Sequence, residues 1–442
     1  MIKYTTLFIT FLLAVITFEA KAQSTAPLAT SSNPYSRYGL GEIDPQLLPQ
    51  NIGMGGIATA INKINGFNNI NPLNPASYGT INFTTIDAGI NSNIDFLSQS
   101  GQPGATNATF KLSHVAFAIP VTSHSALSFG LMPYSEMGYN YKVSKTGFGS
   151  GSPADTNVTN YIYNGTGGLS KAYLGYGFGI GKHLLLGFNV SYIFGKLQQF
   201  SSTEIPGLYG TLNSRVEQSN SVAGLNYDYG IQYSFDFGET RHLVLGYSAS
   251  ANNTLNNTSS YIVSQYTYDS SGNENIAADS IINQQSARTK IQLPQINHYG
   301  ISYQADQKFL VGADFTTGTW SNLTINGTNA GFQNSKTLNV GGQFTPNANA
   351  LNNYFARSDY RLGFIYDQTY LNLNNTNITT EAITFGVGFP LAPNNLSFYK
   401  INFSAEVGKT GTVSNGLVRE NYVNIHLGFT LNDKWFQRFK FD

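Results

Sequence analysis

The stretch Val423-Asn424-Ile425-His426-Leu427-Gly428-Phe429-Thr430-Leu431 decides the fold of this chain. Its odd-numbered positions are apolar, and its even-numbered positions are polar or small. Because a β-strand points successive side chains to opposite faces, this segment has one apolar and one polar face. The same alternation runs through residues 184–195 and 227–237. Runs of about ten residues have the length of a tilted strand that crosses a bilayer, whereas strands usually have about five or six.

Alternating segments recur along the rest of the chain and define the predicted fold class. From Ile81 onward there are fourteen candidate strands, at 81–96, 109–121, 125–143, 160–180, 183–199, 221–237, 242–262, 286–304, 308–321, 335–345, 358–370, 379–392, 398–410 and 418–432. Their connections alternate between long and short, and the stretch at 371–378 is predicted to be a long polar one. Outer-membrane barrels have long outer loops and short periplasmic turns. We therefore predict an all-β protein, a 14-stranded antiparallel transmembrane β-barrel.

The main alternative is a secreted soluble β-sandwich or propeller. It explains the alternation but not the strand length, the loop pattern or the low content of charged residues, 11%. Aromatic residues make up 14% of the chain, as suits a barrel with aromatic girdles. The formal net charge is zero, which gives no basis for nucleic-acid binding.

The N-terminus has the features of an export signal. Lys3 precedes an apolar run from Leu7 to Phe18, and Ala20-Lys21-Ala22 fits a cleavage site, so residues 1–22 are predicted to be a signal peptide. No later stretch offers about twenty consecutive apolar residues, so any membrane-embedded part must be a barrel. The predicted location is the outer membrane of a Gram-negative bacterium.

Residues 23–79 differ from the remainder of the chain. They are rich in proline and glycine and lack long alternating strands, although Ile52–Ile61 could form a short helix. We predict that residues 23–79 form an N-terminal plug in the lumen of a barrel formed by residues 80–442.

The sequence shows no recognisable catalytic, metal or cofactor site, and the protein is predicted not to be an enzyme. No two of the six histidines have ligand spacing, and there are no cysteines. Gly175, Gly177 and Gly179 alternate with apolar residues, so they form the small face of a strand and not a nucleotide-binding loop. Charged residues on the predicted inner face are Asp228, Asp236, Asp314, Arg361, Asp367 and Glu406. They are interpreted as solvated or mutually paired lumen groups, with a solute path as the alternative.

Pro133 interrupts the third predicted strand, in Met132-Pro133-Tyr134-Ser135. Proline lacks the N–H that a β-ladder needs, so it belongs at an edge or a bulge. Pro133 therefore either marks a gap in the barrel wall or lies near the rim.

Two motifs in the N-terminal region carry a family resemblance. Asn51-Ile52-Gly53-Met54-Gly55-Gly56-Ile57-Ala58 precedes Asn71-Pro72-Leu73-Asn74-Pro75-Ala76-Ser77. Together they resemble the hatch of the FadL-type outer-membrane transporters, and residues 167–175 and 186–195 resemble that family's fourth and fifth strands. The resemblance implies passive passage of hydrophobic small molecules, with a lateral opening at a kink in strand three. The implied site residues are Asn74, Pro75 and Ala76 in the plug, and Pro133 and Tyr134 at the opening.

A second resemblance leaves the function open. Residues 33–41 and Trp435-Phe436 resemble FadL-like barrels of bacteria that use type IX secretion, some of which associate with the secretion translocon. The expected partners are outer-membrane lipids with either a hydrophobic small molecule or detergent-like lipid, or secretion-system proteins. An apolar lumen pocket would favour uptake. A filled, polar lumen with an apolar outer patch would favour the role of a protein partner.

Overall fold

The computed structural model describes residues 33–64, 67–147, 157–207, 210–269, 271, 273–275, 280–391 and 397–434. The predicted signal peptide and Trp435-Phe436 lie outside these ranges.

Fourteen strands form the wall of a closed antiparallel barrel, as the sequence predicted. Their bounds are β1 Thr84–Gln99, β2 Ala105–Thr122, β3 Ser125–Glu136 with Tyr139–Thr146, β4 Val158–Ile180, β5 Leu184–Glu204, β6 Asn213–Asp236, β7 Arg241–Ser250 with Thr254–Tyr268, β8 Ser280–Gln285 with Thr289–Gln292 and Ile296–Ala305, β9 Phe309–Gly318, β10 Ser335–Phe344, β11 Asp359–Leu373, β12 Thr376–Pro390, β13 Ser397–Gly411 and β14 Val418–Asp433. Each strand pairs with the next, and β14 pairs with β1 to close the barrel.

The facing of the side chains follows the alternation in the sequence. On β14, Leu427 and Phe429 are 41% and 42% exposed, whereas His426 is 8% exposed. The apolar side chains thus cover the outside of the barrel, where lipid would contact them, and the polar side chains face the lumen. Among the described residues no helix combines the length and apolarity that a membrane span requires.

The prediction of a long connection at 371–378 is wrong. β11 and β12 continue through this stretch and are joined by Asn374 and Asn375, whose φ angles are 49° and 59°. Positive φ at both central positions is the requirement of a type I′ hairpin, and asparagine tolerates it better than most residues.

The segment before β1 contains little regular structure. It has 3-10 helices at Pro34–Arg37 and Pro75–Thr80, one α-helical turn at Pro49–Ile52, and a short pairing of Lys63–Ile64 with Phe67–Asn68. The helix predicted over Ile52–Ile61 is absent, because Gly55 and Gly56 adopt φ angles of +71° and +80°. These left-handed conformations do not continue a right-handed helix.

Candidate functional site: the N-terminal segment and the barrel lumen

Residues 33–64 and 67–81, called the N-terminal segment below, pack against lumen-facing side chains of the barrel wall. Because the segment has little secondary structure, its buried backbone groups need other hydrogen-bond partners. Asp314 Oδ2 accepts from the N–H groups of Ala58 (2.8 Å) and Thr59 (2.7 Å). Further wall side chains that bond to the segment's backbone are Asn189, Gln232, Ser302, Asn339, Thr384 and Asn432. The wall thus provides the partners that regular secondary structure would otherwise supply.

The motif residues Asn74, Pro75 and Ala76 lie at the start of the second 3-10 helix of the segment. Asn74 Oδ1 caps the helix by accepting from Ala76 N at 3.1 Å. Asn74 Nδ2 donates to Thr59 O at 2.6 Å and lies 3.4 Å from the carbonyl oxygens of Ile231 on β6 and Tyr247 on β7. Asn74 therefore links two parts of the segment to each other and to the wall.

Glycines on many strands make the close approach of the segment possible. A Cβ at Gly363 on β11 would lie 2.1 Å from Gly55 N, and one at Gly187 on β5 would lie 2.3 Å from the carbonyl carbon of Pro75. Other lumen-facing glycines that contact the segment in this way are Gly177, Gly230, Gly246, Gly300, Gly341, Gly386 and Gly428. We call these nine residues the glycine belt. Gly175 and Gly177 also lie against Tyr78, which explains the small face of β4.

The ladder between β2 and β3 is incomplete. It runs from Thr122–Ser125 to Val115–Leu131 and ends there, although β3 continues its pairing with β4 through Pro133 and a bulge at Tyr134. We call the region beyond Leu131, where β3 has no pairing with β2, the wall gap. Pro133 and Tyr134 thus lie directly beyond the last β2–β3 pair.

The N-terminal segment occupies the edge of β3 that β2 leaves open. Glu42 and Ile43 pair with Glu136 and Ser135, and Asp44 N donates to Tyr134 O at 3.0 Å. The main chain of the segment therefore satisfies strand groups that would otherwise be unpaired at the wall gap. Gln46 Nε2 also donates to Pro133 O at 3.3 Å.

Charged groups span the wall gap. Lys111 on β2 forms ion pairs with Glu136 on β3 and, at 3.5 Å, with Asp44 of the segment. Although the Glu42 side chain is open to the lumen cavity, the barrel separates it from bulk water. This desolvation raises the pKa of Glu42 to about 7, and the nearby Asp44 adds to the effect while Lys111 opposes it.

A pH dependence of this contact follows. Since the pKa of Glu42 rises from 4.5 to about 7 when the segment is docked, docking is strongest at low pH and weakens as the pH increases through 7. Above that pH, Glu42, Asp44 and Glu136 carry three negative charges against one on Lys111. A nitroxide attached to the cysteine of Ile43→Cys should become more mobile as the pH rises from about 5 to about 8.5, a range that brackets the pKa of Glu42. Its mobility is measured by electron paramagnetic resonance. The same label in a Glu42→Gln background should show a smaller change over this range, and an equal change in both proteins would contradict the assignment to Glu42.

The lumen contains a cavity of about 470 Å³. The segment and the inner wall both line it, and it reaches Tyr134 and Glu136 at the wall gap. Apolar groups such as Leu293 and Trp320 share the lining with many polar and charged ones. Pro133 is not among the lining residues, whereas its neighbour Tyr134 is.

Most of the predicted lumen charges are paired or hydrogen-bonded. Asp228 accepts from Lys171 Nζ at 2.8 Å, and Arg361 Nη2 lies 3.2 Å from Asp359. Asp236 is also paired, but it does not face the lumen as predicted. It lies at the exposed end of β6, where its carboxylate contacts His242 at 2.6 Å and His183 at 3.4 Å. The strand ends there, so the alternation of faces no longer determines its surroundings.

Sequence reasoning missed the residues of the site that act through tertiary contacts. Asp314 was predicted to face the lumen, but its role as acceptor for the segment was not. Lys111 and Glu136 lie on different strands, and no pattern in the sequence marks them as a pair. Lys111 lies between apolar residues in the sequence of β2. This placement was the one available signal that Lys111 belongs to a site.

The closed fourteen-stranded barrel with polar lumen-facing side chains defines the class of the protein, a transmembrane β-barrel. The chain belongs to the BamG family, whose model matches residues 1–442. No curated protein matches it by sequence comparison.

Solved structures of similar fold come from several bacteria. The Ralstonia pickettii toluene transporter TbuX shares 15% identity with a TM-score of 0.53, over 88% of this chain and 99% of that one. The Pseudomonas putida toluene transporter TodX shares 13% with a TM-score of 0.53, over 89% and 99%. A Pseudomonas aeruginosa FadL homologue shares 14% with a TM-score of 0.55, over 90% and 100%. TbuX and TodX are both named as toluene transporters.

Proposed function

We propose that this protein is an outer-membrane β-barrel that passes small hydrophobic molecules, of the long-chain fatty acid or hydrocarbon kind, by passive diffusion. The observation that carries the proposal is the lumen cavity of about 470 Å³ that reaches the wall gap. A cavity with a partly apolar lining that adjoins a break in the ladder offers a solute both a binding place and a way out. The names of TbuX and TodX, which are toluene transporters, support the same class of solute.

In the proposed mechanism residues 23–79 act as the plug. A solute enters from the outer face and reaches the cavity. Movement of the segment around its anchor at Asn74, Pro75 and Ala76 then opens the route. Release of the segment's edge from β3 exposes the wall gap at Pro133 and Tyr134, through which the solute leaves laterally into the bilayer. The main-chain pairing of Glu42 and Ile43 with β3 supports a mechanism in which plug movement and lateral opening occur together.

A second candidate function is that of a non-transporting barrel partner in a protein-secretion translocon of the type IX kind. The observation that favours it is the polar character of the cavity lining, which includes carboxylates such as Asp228, Asp367 and Glu420. In this function the tightly hydrogen-bonded segment would remain in place and the barrel would contact other proteins.

Uptake of radiolabelled toluene and oleate by cells tests the leading proposal. Cells that contain the barrel should accumulate at least one of the two solutes faster than matched cells without it. Pro133→Ala gives β3 a further N–H and favours extension of pairing at the wall gap, so uptake should slow at an equal amount of folded barrel. Pro390→Ala, at the end of β12 and away from the gap, is the matched control.

The outcomes separate the parts of this proposal. Equal uptake with and without the barrel argues against transport. If the barrel speeds uptake and Pro133→Ala leaves that uptake unaltered, lateral exit is contradicted but transport is not. If uptake is equal and stoichiometric amounts of secretion proteins copurify with the barrel in mild detergent, the second candidate is favoured.

A further inference from the structure

A groove on the outer face of the barrel lies where the ladder between β6 and β7 is interrupted. The ladder pairs Ala223 with Asn256 on one side of the interruption and Asp228 with Ser250 on the other, with no pair between them. The groove has a volume of about 540 Å³, and among the described residues no carboxylate lines it. Its lining includes Tyr192, Leu225, Tyr227, Thr254, Asn256 and Arg288. We call it the outer groove.

One part of the outer groove belongs to the lipid-facing surface. Tyr192 and Leu225 are 47% and 48% exposed and lie among the outward apolar side chains. On β5 these run from Leu184 to Phe194, and the next outward side chain is the exposed Lys196. β5 begins after a short turn and runs toward the long connections, which mark the outer end of such barrels. The outer groove therefore lies at the outer edge of the apolar band, where lipid head groups are found.

A row of outward side chains crosses four strands at this edge. The register pairs Lys196 on β5 with Ser221 on β6, and Ser221 with Thr258 on β7. The ladder between β7 and β8 ends one residue short of Arg288, which places Arg288 next to Thr258 in the same row. Since neighbouring strands lie about 4.8 Å apart, the backbones of Lys196 and Arg288 are separated by about 14 Å. Two cations thus flank the row, with hydroxyl groups between them.

The cations at this edge are not neutralised by the protein. Lys290 is paired with Asn256 in the β7–β8 ladder and adds a third positive charge beside Arg288. Lys196, Arg288 and Lys290 are all exposed, and none of them forms an ion pair or a side-chain hydrogen bond within the described part of the chain. By contrast, Lys409 on β13 is paired with Glu381 on β12 at 3.2 Å. The row therefore carries a local positive charge that favours an anion.

The arrangement of these groups defines the chemistry of the ligand. Apolar side chains at the level of the hydrocarbon call for acyl chains, and the cations next to them call for a negatively charged head group. A guanidinium group beside an ammonium group suits a phosphate, which accepts paired hydrogen bonds from arginine. One phosphate cannot reach cations about 14 Å apart, so contact with both sides requires two phosphates on one head group.

We propose that the outer groove binds an anionic glycolipid of the outer leaflet with two phosphates at opposite ends of a disaccharide, as in lipid A. Arg288 and Lys290 hold one phosphate, and Lys196 holds the other. The acyl chains lie against Tyr192, Leu225 and Tyr227. The site lies on the outside of the wall, so the inference goes beyond the proposed function, which concerns the lumen.

Lipid titrations of the full chain in a neutral detergent, with the complexes counted by native mass spectrometry, test this inference. The probes are bisphosphorylated lipid A, phosphatidylglycerol and phosphatidylcholine, the last two with identical acyl chains. A basic residue near an anionic lipid contributes about fivefold in affinity, so phosphatidylglycerol should bind roughly 25-fold more tightly than phosphatidylcholine through Arg288 and Lys290. Equal binding of these two lipids would overturn the inference. A large excess of inorganic phosphate should not displace lipid A, and displacement would refute the assignment to a lipid.

Variants of the cations locate the binding. The double variant Arg288→Gln with Lys290→Gln should abolish the preference for phosphatidylglycerol. Lys196→Gln should weaken lipid A binding about fivefold and leave phosphatidylglycerol unaltered, because only the lipid with two phosphates reaches Lys196. Lys142→Gln with Lys145→Gln removes two exposed lysines from the outer part of β3, away from the groove, and is the matched control.

The control decides between a site and a general effect of charge. Equal loss of lipid A binding in both double variants would show that only the overall charge of the barrel matters, which would overturn the site. A Lys196→Gln variant that weakens both anionic lipids equally, or neither, would refute the two-phosphate head group. Heat-modifiable mobility shows that each variant is folded. If the Arg288 and Lys290 double variant fails to fold, Arg288→Gln alone should lower the preference for phosphatidylglycerol about fivefold.

Discussion

Leu427→Arg should destabilise the barrel by roughly 2–4 kcal/mol, because it places a cation on the lipid-facing side of β14. Leu427 is 41% exposed in the barrel, and its neighbours on the same face are also apolar. In a bilayer this surface contacts hydrocarbon, where a guanidinium group loses its hydration. The change is measured as a lower urea midpoint of the folded, heat-modifiable form in lipid vesicles.

Leu351→Arg is the matched control for this experiment. Leu351 is 92% exposed and lies in the connection between β10 and β11, outside the strands. The same chemical change there should leave the urea midpoint within error of the parent protein. Equal destabilisation by both substitutions would contradict the assignment of the lipid-facing surface.

Gly363→Ala should displace the N-terminal segment while the barrel wall remains folded. The added methyl group would lie 2.1 Å from Gly55 N and 2.4 Å from Gly55 Cα, so main chain must move. It would also disturb the 2.8 Å hydrogen bond from Gly55 N to Thr384 Oγ1. Overpacking of this kind costs typically 1–3 kcal/mol, which corresponds to a roughly five- to 150-fold larger fraction of undocked segment. Ion conductance in planar bilayers should increase accordingly.

Gly179→Ala is the comparison for the glycine belt. On β4 its new methyl group would meet first the flexible end of Leu185 at 3.3 Å, so little needs to shift. We expect its conductance to match the parent protein. Unchanged conductance in Gly363→Ala, with the segment still protected from protease, would show that the glycine belt tolerates added volume.

The predictions of strand number and facing succeeded because both depend on local alternation. A lipid-facing side chain must be apolar wherever its partner strands lie, so the pattern of β14 or β6 can be read without knowledge of the fold. The predicted helix at Ile52–Ile61 failed, since apolar content alone does not reveal the positive φ angles of Gly55 and Gly56. The predicted long connection at 371–378 failed because two asparagines suffice for a hairpin.

The sequence by itself determined a membrane-length all-β barrel of fourteen strands and a distinct N-terminal region. These properties are set by composition and by periodicity over about ten residues. Only the tertiary structure decided that Asp314 accepts from the segment and that Lys111 meets Glu136 across the wall gap. Each of these depends on residues that are distant in sequence or on strand register, and closure of the barrel alone brings them together.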